Sequence, residues 1–172
     1  MLILIVGPSG VGKSTLGEYA GQNMVNCQFF DLDKLVKERT GCSTGKLLPE
    51  IENDAFLDLC CREMDILCNE CLDGLHIVAI GSGALQSSHA LEWLRRYSTL
   101  AITAPAEEVY NRGGARNQNR TLKEFEQTEY SPYRIRIYDS ANYKLAVDGL
   151  SEQQAKDRFL ELIESLSEDL FP

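Results

Sequence analysis

The 172 residues carry a formal net charge of −9, from 17 basic against 26 acidic side chains, with 44% hydrophobic and 25% charged residues. That is the makeup of one globular domain, and so acidic a chain lacks the basic face a broad nucleic-acid footprint requires. Charged residues interrupt every apolar stretch before it could span a bilayer, and no basic n-region precedes the apolar run after Met1, so the cytoplasm is the expected compartment.

Leu2 to Val6 is a continuous apolar run, which predicts a parallel strand covered on both faces. A Gly-rich turn follows, and from Gly12 the pattern through Leu16, Tyr19 and Ala20 predicts a helix. Gln28 to Leu32 reads as a second strand, Leu35 to Arg39 as a short helix, and a long helix is expected from about Glu50. His76 to Ile80 and Thr99 to Thr103 are further strands, with helices expected over Ala90 to Arg96 and from Ala106 to Arg112. Gly113 to Arg120 has loop composition, Leu122 to Tyr138 reads as helical or mobile, Lys144 to Val147 as a last strand, and Glu152 to Leu166 as an amphipathic helix. Alternating strands and helices predict a parallel sheet with helices on both faces, which binds ligands at the carboxyl ends of its strands.

Residues 7 to 15 read Gly-Pro-Ser-Gly-Val-Gly-Lys-Ser-Thr, between a strand and a helix. Glycines let backbone N–H groups turn inward around phosphates, and the helix that follows points its positive end at the same anion. This predicts ATP binding through Gly10, Val11, Gly12, Lys13, Ser14 and Thr15, with Lys13 at the β- and γ-phosphates and the Ser14 hydroxyl on Mg²⁺. Asp31 and Asp33 stand at a strand end, where alternation would place both carboxylates on one side. Phosphoryl transfer needs one carboxylate near Mg²⁺ and another at the accepting hydroxyl; solvated turn residues are the alternative. Gly81-Ser82-Gly83 is either a ligand-facing turn or a plain link from strand to helix. Arg112, Arg116, Arg120, Arg134 and Arg136 cluster in an acidic chain, as a lid closing on triphosphate would require, or as a solvated helix would allow. Cys60, Cys61, Cys68 and Cys71 share one predicted helix; Cys68-Asn-Glu-Cys71 has metal-ligand spacing but no second pair, so packing is the expectation.

The order of these parts resembles shikimate kinase over nearly the whole chain. Phe30-Asp31-Leu32-Asp33 matches the family's Asp-x-Asp, and Glu38-Arg39-Thr40-Gly41 its lead into the substrate-binding segment. Ile80-Gly81-Ser82-Gly83 is similar to its glycine turn, Arg120-Thr121-Leu122 to its lid, and Arg134-Ile135-Arg136-Ile137-Tyr138 to its Arg-x-Pro-Leu-Tyr segment. The resemblance implies an α/β, three-layer P-loop kinase fold with a central parallel sheet and a helical lid. It is one domain, with a substrate-binding helical segment over about 34–73 and a lid over about 113–128. It implies that Asp31 helps to hold Mg²⁺, that Asp33 binds and deprotonates the acceptor, and that Arg120 neutralises the transferring phosphate. Arg134 would bind the substrate carboxylate beside Gly81, Ser82 and Gly83, and Arg112 would lie near adenine.

The chain departs from the family where a second carboxylate-binding arginine is expected: Phe56 is followed by Leu57, and Cys60 replaces a supporting glutamate. Ser82 replaces the middle glycine and Thr121 the lid proline. The expected activity is transfer of the ATP γ-phosphate to a hydroxyl of shikimate or a related hydroxylated carboxylic acid. A kinase for another metabolite and an ATP-binding regulatory protein are the alternatives. The expected partner is a small molecule, with neither nucleic acid nor membrane, and the expected state a monomer or weak homodimer.

Overall fold

The computed structural model describes residues 1–70, 73–113, 117 and 119–168. Five strands among them form one sheet in the order β2-β3-β1-β4-β5: β1 (Leu2–Val6), β2 (Cys27–Asp31), β3 (Leu75–Ala79), β4 (Ser98–Thr103) and β5 (Tyr143–Ala146). Every pairing is parallel, with Ile3 opposite Ile77 on one side of β1 and Ser98 on the other. The order of strands reverses at β1, so the crevice beyond its carboxyl end is the natural ligand position.

Strand alternation divides the core into two layers. Ile3 and Ile5 face one side, with Leu16 and Ala20 of α1 (Lys13–Asn23), Val109 of α6 (Ala106–Arg112), Phe125 of α7 (Leu122–Glu129), and Phe159 and Ile163 of α9 (Glu152–Glu168). Leu4 and Val6 face the other. There they meet Leu32 and Val36 of α2 (Leu32–Thr40), Phe56, Cys60 and Met64 of α4 (Asn53–Glu70), Leu94 of α5 (Ala90–Leu94) and Ile137 of α8 (Pro132–Asp139). Sheet and two helical layers give the three-layer α/β arrangement expected. No helix among the described residues is long and apolar enough to cross a membrane.

Two expectations need correction and a third is made more specific. Asp31 and Asp33 are not placed by strand alternation. Asp31 ends β2 and caps α2, its carboxylate accepting the Lys34 N–H, and Asp33 lies in the first helical turn. A carboxylate N-cap starts the helix three residues earlier than expected. The long helix likewise starts at Asn53 and not at Glu50, after a four-residue helix α3 (Thr44–Leu47) too short to leave a periodic signal. Leu122 to Tyr138, expected to be helical or mobile, is helical, in two pieces. Thr121 and Glu124 form a capping box at the head of α7, and Ser131 caps α8 with Pro132 in its first turn. Cys60 packs in the core, as expected, whereas Cys68 is exposed and Cys71 lies outside the described residues.

Candidate active site

The turn after β1 carries the first half of the site. Gly12 caps α1 at φ +110°, a left-handed conformation that a side chain disfavours, and no side chain caps the helix. The first-turn N–H groups are therefore left for an anion. Lys13 has turned its Nζ back onto the loop, donating to the Gly7 carbonyl at 2.7 Å and the Pro8 carbonyl at 3.0 Å. Burial lowers its pKa to about 8, with Arg134 pushing the same way and Glu129, Asp33 and Asp31 opposing. A phosphate beside it would restore the full charge.

Ser14 and Asp31 meet: the Ser14 hydroxyl donates to Asp31 Oδ2 at 2.8 Å. Asp33 stands deeper. Its Oδ1 is buried with no hydrogen-bond partner, as is the Thr44 hydroxyl. Burial raises its pKa first and repulsion from Asp31 second, while Lys13 and Thr44 act the other way. Gly81 makes room for this carboxylate, because a Cβ there would lie 2.2 Å from both Asp33 oxygens. The requirement for glycine at 81 is one of space, set by a side chain 48 positions earlier.

These groups share one chamber of about 600 Å³. Gly10, Gly12, Lys13, Ser14, Thr15, Asp31, Asp33, Gly81, Ser82 and Arg112, all expected in the site, line it. Arg112 also donates to Glu108 and to the Val147 carbonyl, at 3.0 Å for the latter. Val11 and Gly83 stand behind the wall: Val11 is core, and Gly83 lies against Thr44, Leu48 and Phe56. Arg116 lies outside the described residues.

Arg120 and Arg134 do not line the chamber. Arg134 is 5% exposed and donates to the Ser82 carbonyl at 2.6 Å. Arg120 donates through Nε to Asn117 Oδ1 at 2.9 Å and lies over the Phe125 ring, 4.5 Å from its centre. Both come within 3.9 Å of the Glu129 carboxylate. Phe125 is fully buried, so α7, the latter part of the expected lid, is anchored in the core.

Sequence reasoning missed Glu129, and it missed Lys34, Lys37, Ser43, Thr44 and Gly45, which line the chamber together with Ser9, Ala79 and Gly113. Ser131-Pro132 was the available signal for the former, since it ends α7 beside Glu129. The α2 positions could have been found from Asp33, because Lys37 lies one helical turn away on the same face. Lys34 is tied to Glu18 at 2.9 Å, whereas Lys37 has no ion pair among the described residues. Leu57, at the expected arginine position, is 4% exposed and belongs to the core with Phe56 and Cys60. Arg62, a possible replacement further along α4, is exposed and outside the chamber wall.

The family model described as Shikimate kinase matches residues 9–166. Shikimate kinase 1 of Sodalis glossinidius is 32% identical over 134 residues, covering 77% of this chain and 73% of that one. Among solved structures, shikimate kinase from Bacteroides thetaiotaomicron superposes with a TM-score of 0.77 at 22% identity, over 98% of both chains. The Acinetobacter baumannii shikimate kinase in complex with shikimate gives 0.74 at 20% identity, over 99% of this chain and 95% of that one. At those identities the superpositions speak for the fold.

Proposed function

The chain belongs to the shikimate kinase family and is an ATP-dependent phosphotransferase acting on a hydroxyl; on that premise we propose that its acceptor is shikimate or a related hydroxylated carboxylic acid, with shikimate the poorer one. The observation that carries this reading is the meeting of phosphate loop, Ser14–Asp31 pair and half-buried Asp33 in one chamber.

In this reading the first-turn N–H groups of α1 receive the phosphates, and Lys13 exchanges the carbonyls of Gly7 and Pro8 for phosphate oxygens. The Ser14 hydroxyl and the Asp31 carboxylate, 2.8 Å apart, are hard oxygen donors that fit Mg²⁺ and would hold it. Bound there, Mg²⁺ would neutralise charge on the phosphates. Asp33 orients the acceptor hydroxyl and takes its proton; its raised pKa makes it a stronger base than an ordinary carboxylate. Arg120 leaves its lid contacts to meet charge on the transferring group.

The acceptor side differs from the clamp that the resemblance implies. Leu57 offers no cation, and Arg134 stands behind Ser82. Lys37, lining the chamber one turn from Asp33, is therefore the side chain that meets an acceptor carboxylate. The same reading places the protein in the cytoplasm as a monomer or weak homodimer that handles neither nucleic acid nor membrane.

The test is ADP release with Mg-ATP across a panel of hydroxy acids and polyols, on wild type and Asp33→Asn. Release that depends on one hydroxylated acid and on Asp33 supports the proposal. Release that ignores the acceptor, or acceptors without a carboxylate outperforming every acid, contradicts it.

A further inference from the structure

Glu129 is the last residue of α7 and only 4% exposed. An ionised carboxylate at that depth is costly unless donors and cations surround it. Here they do. Its Oε2 accepts the Ser9 N–H at 3.0 Å and lies 3.9 Å from Arg134 Nη1, and its Oε1 lies 3.9 Å from Arg120 Nη1. Of the carboxylates that oppose the lowering of the Lys13 pKa, Glu129 acts most strongly. One amide and two guanidinium groups around a single anion make up the kind of set a phosphoryl group needs.

The two arginines are held unequally. Arg134 is buried and fixed at its far side by the Ser82 carbonyl, 2.6 Å away. The Arg120 side chain is 27% exposed, and its 3.9 Å pairing with Glu129 is an ion pair without a hydrogen bond. Arg120 is also held by Asn117 Oδ1 and the Phe125 ring, but it is much the more exposed of the two arginines, 27% against 6%, and so the partner that can leave. Ser9 itself lines the chamber, so the Glu129 carboxylate stands directly behind the phosphate loop.

We propose that Glu129 is a positioning residue, whose carboxylate holds Arg120 in the nucleotide-free site and competes for it with the terminal phosphate of a nucleoside triphosphate. The inference rests on the phosphotransfer reading above. It makes Glu129 an opponent of triphosphate more than of diphosphate, because only the terminal phosphate takes Arg120 from it. Charge at 129 then sets the balance between binding ATP and releasing ADP.

The experiment is calorimetry of wild type and Glu129→Gln with a non-hydrolysable ATP analogue and with ADP, both with Mg²⁺. Glutamine keeps an oxygen for the Ser9 N–H and removes the charge. The analogue should bind about tenfold more tightly while ADP changes less than about twofold. In an Arg120→Ala background the gain from Glu129→Gln should fall below about twofold. Equal changes for analogue and ADP, no change in either, or a gain that persists without Arg120 would overturn the proposal. Should Glu129→Gln not fold, Glu129→Asp keeps the charge but draws it back by one methylene, and must shift the same ratio in the same direction. Binding is read without turnover. A wild type that binds the analogue but phosphorylates no acceptor would therefore contradict the kinase reading alone, and one that binds neither nucleotide would overturn both.

Discussion

The two ends of the chamber are built by different means. At the nucleotide end, nine consecutive residues supply the loop, the helix N-terminus, Lys13 and the metal-side hydroxyl, and most of the contacts expected there are backbone N–H groups. At the acceptor end, Asp33, Lys37, Thr44, Gly81 and Ser82 come from three separate stretches, and Arg134 supports Ser82 from behind. A backbone cradle tolerates drift in side chains; an end made of side chains changes its ligand with each substitution. The loop motif is accordingly complete, whereas in the proposed reading Leu57 and Ser82 alter the acceptor end.

The sharpest break between the two ends is Asp33→Asn. Turnover should fall by about 10²- to 10⁴-fold, because the proton acceptor is lost, while Mg-ATP affinity stays within about twofold. Asp31→Asn should instead shift the Mg²⁺ titration, and identical kinetics and metal dependence in the two variants would erase the division of roles. Lys13→Ala strikes the nucleotide end. Loss of a charge-assisted contact worth about 1.5–3 kcal/mol should weaken ATP by roughly ten- to hundredfold in calorimetry.

Gly81→Ala joins packing to chemistry. Its Cβ would fall 2.2 Å from both Asp33 oxygens, so the carboxylate must move. Thermal unfolding should show a loss of about 1–3 kcal/mol, and turnover should drop with ATP affinity retained. A fully active, equally stable variant would show that Asp33 does not need its observed place.

The smallest effect concerns groups at neither end. Burial pushes the Cys27 thiol from 9.0 up to about 11 and raises Cys60 further. The native state then holds protons that the unfolded chain releases above pH 9, so stability should decline as pH rises from 9 towards 11. Cys27→Ala should flatten part of that decline in thermal melts, and both thiols should resist alkylation at pH 8 until the protein unfolds.

How much of this could be read from sequence follows the same division. The phosphate loop was legible because its chemistry is contiguous and its flanking strand and helix confirm it. Asp31 and Asp33 were legible as a pair, but their geometry comes from helix capping and not from strand alternation. Gly81 was visible as part of a turn, yet the reason for it, the Asp33 carboxylate, exists only after the chain folds. Glu129 was invisible: nothing in a local window separates it from the acidic surface residues of α7 until Ser9, Arg120 and Arg134 are seen around it. Lys37 was hidden for a similar reason, since a helix boundary three residues out of place moves the face that looks into the chamber.

The central claim is that the nucleotide end is intact while the acceptor end is not the usual carboxylate clamp, and the specificity constant for shikimate tests it most directly. A missing arginine should cost about 1.5–3 kcal/mol, or roughly ten- to hundredfold. The account predicts kcat/KM for shikimate below about 10⁴ M⁻¹s⁻¹, with another hydroxylated acid clearly higher under the same Mg-ATP conditions. A value at or above about 10⁴ M⁻¹s⁻¹ that no other acceptor exceeds would contradict it.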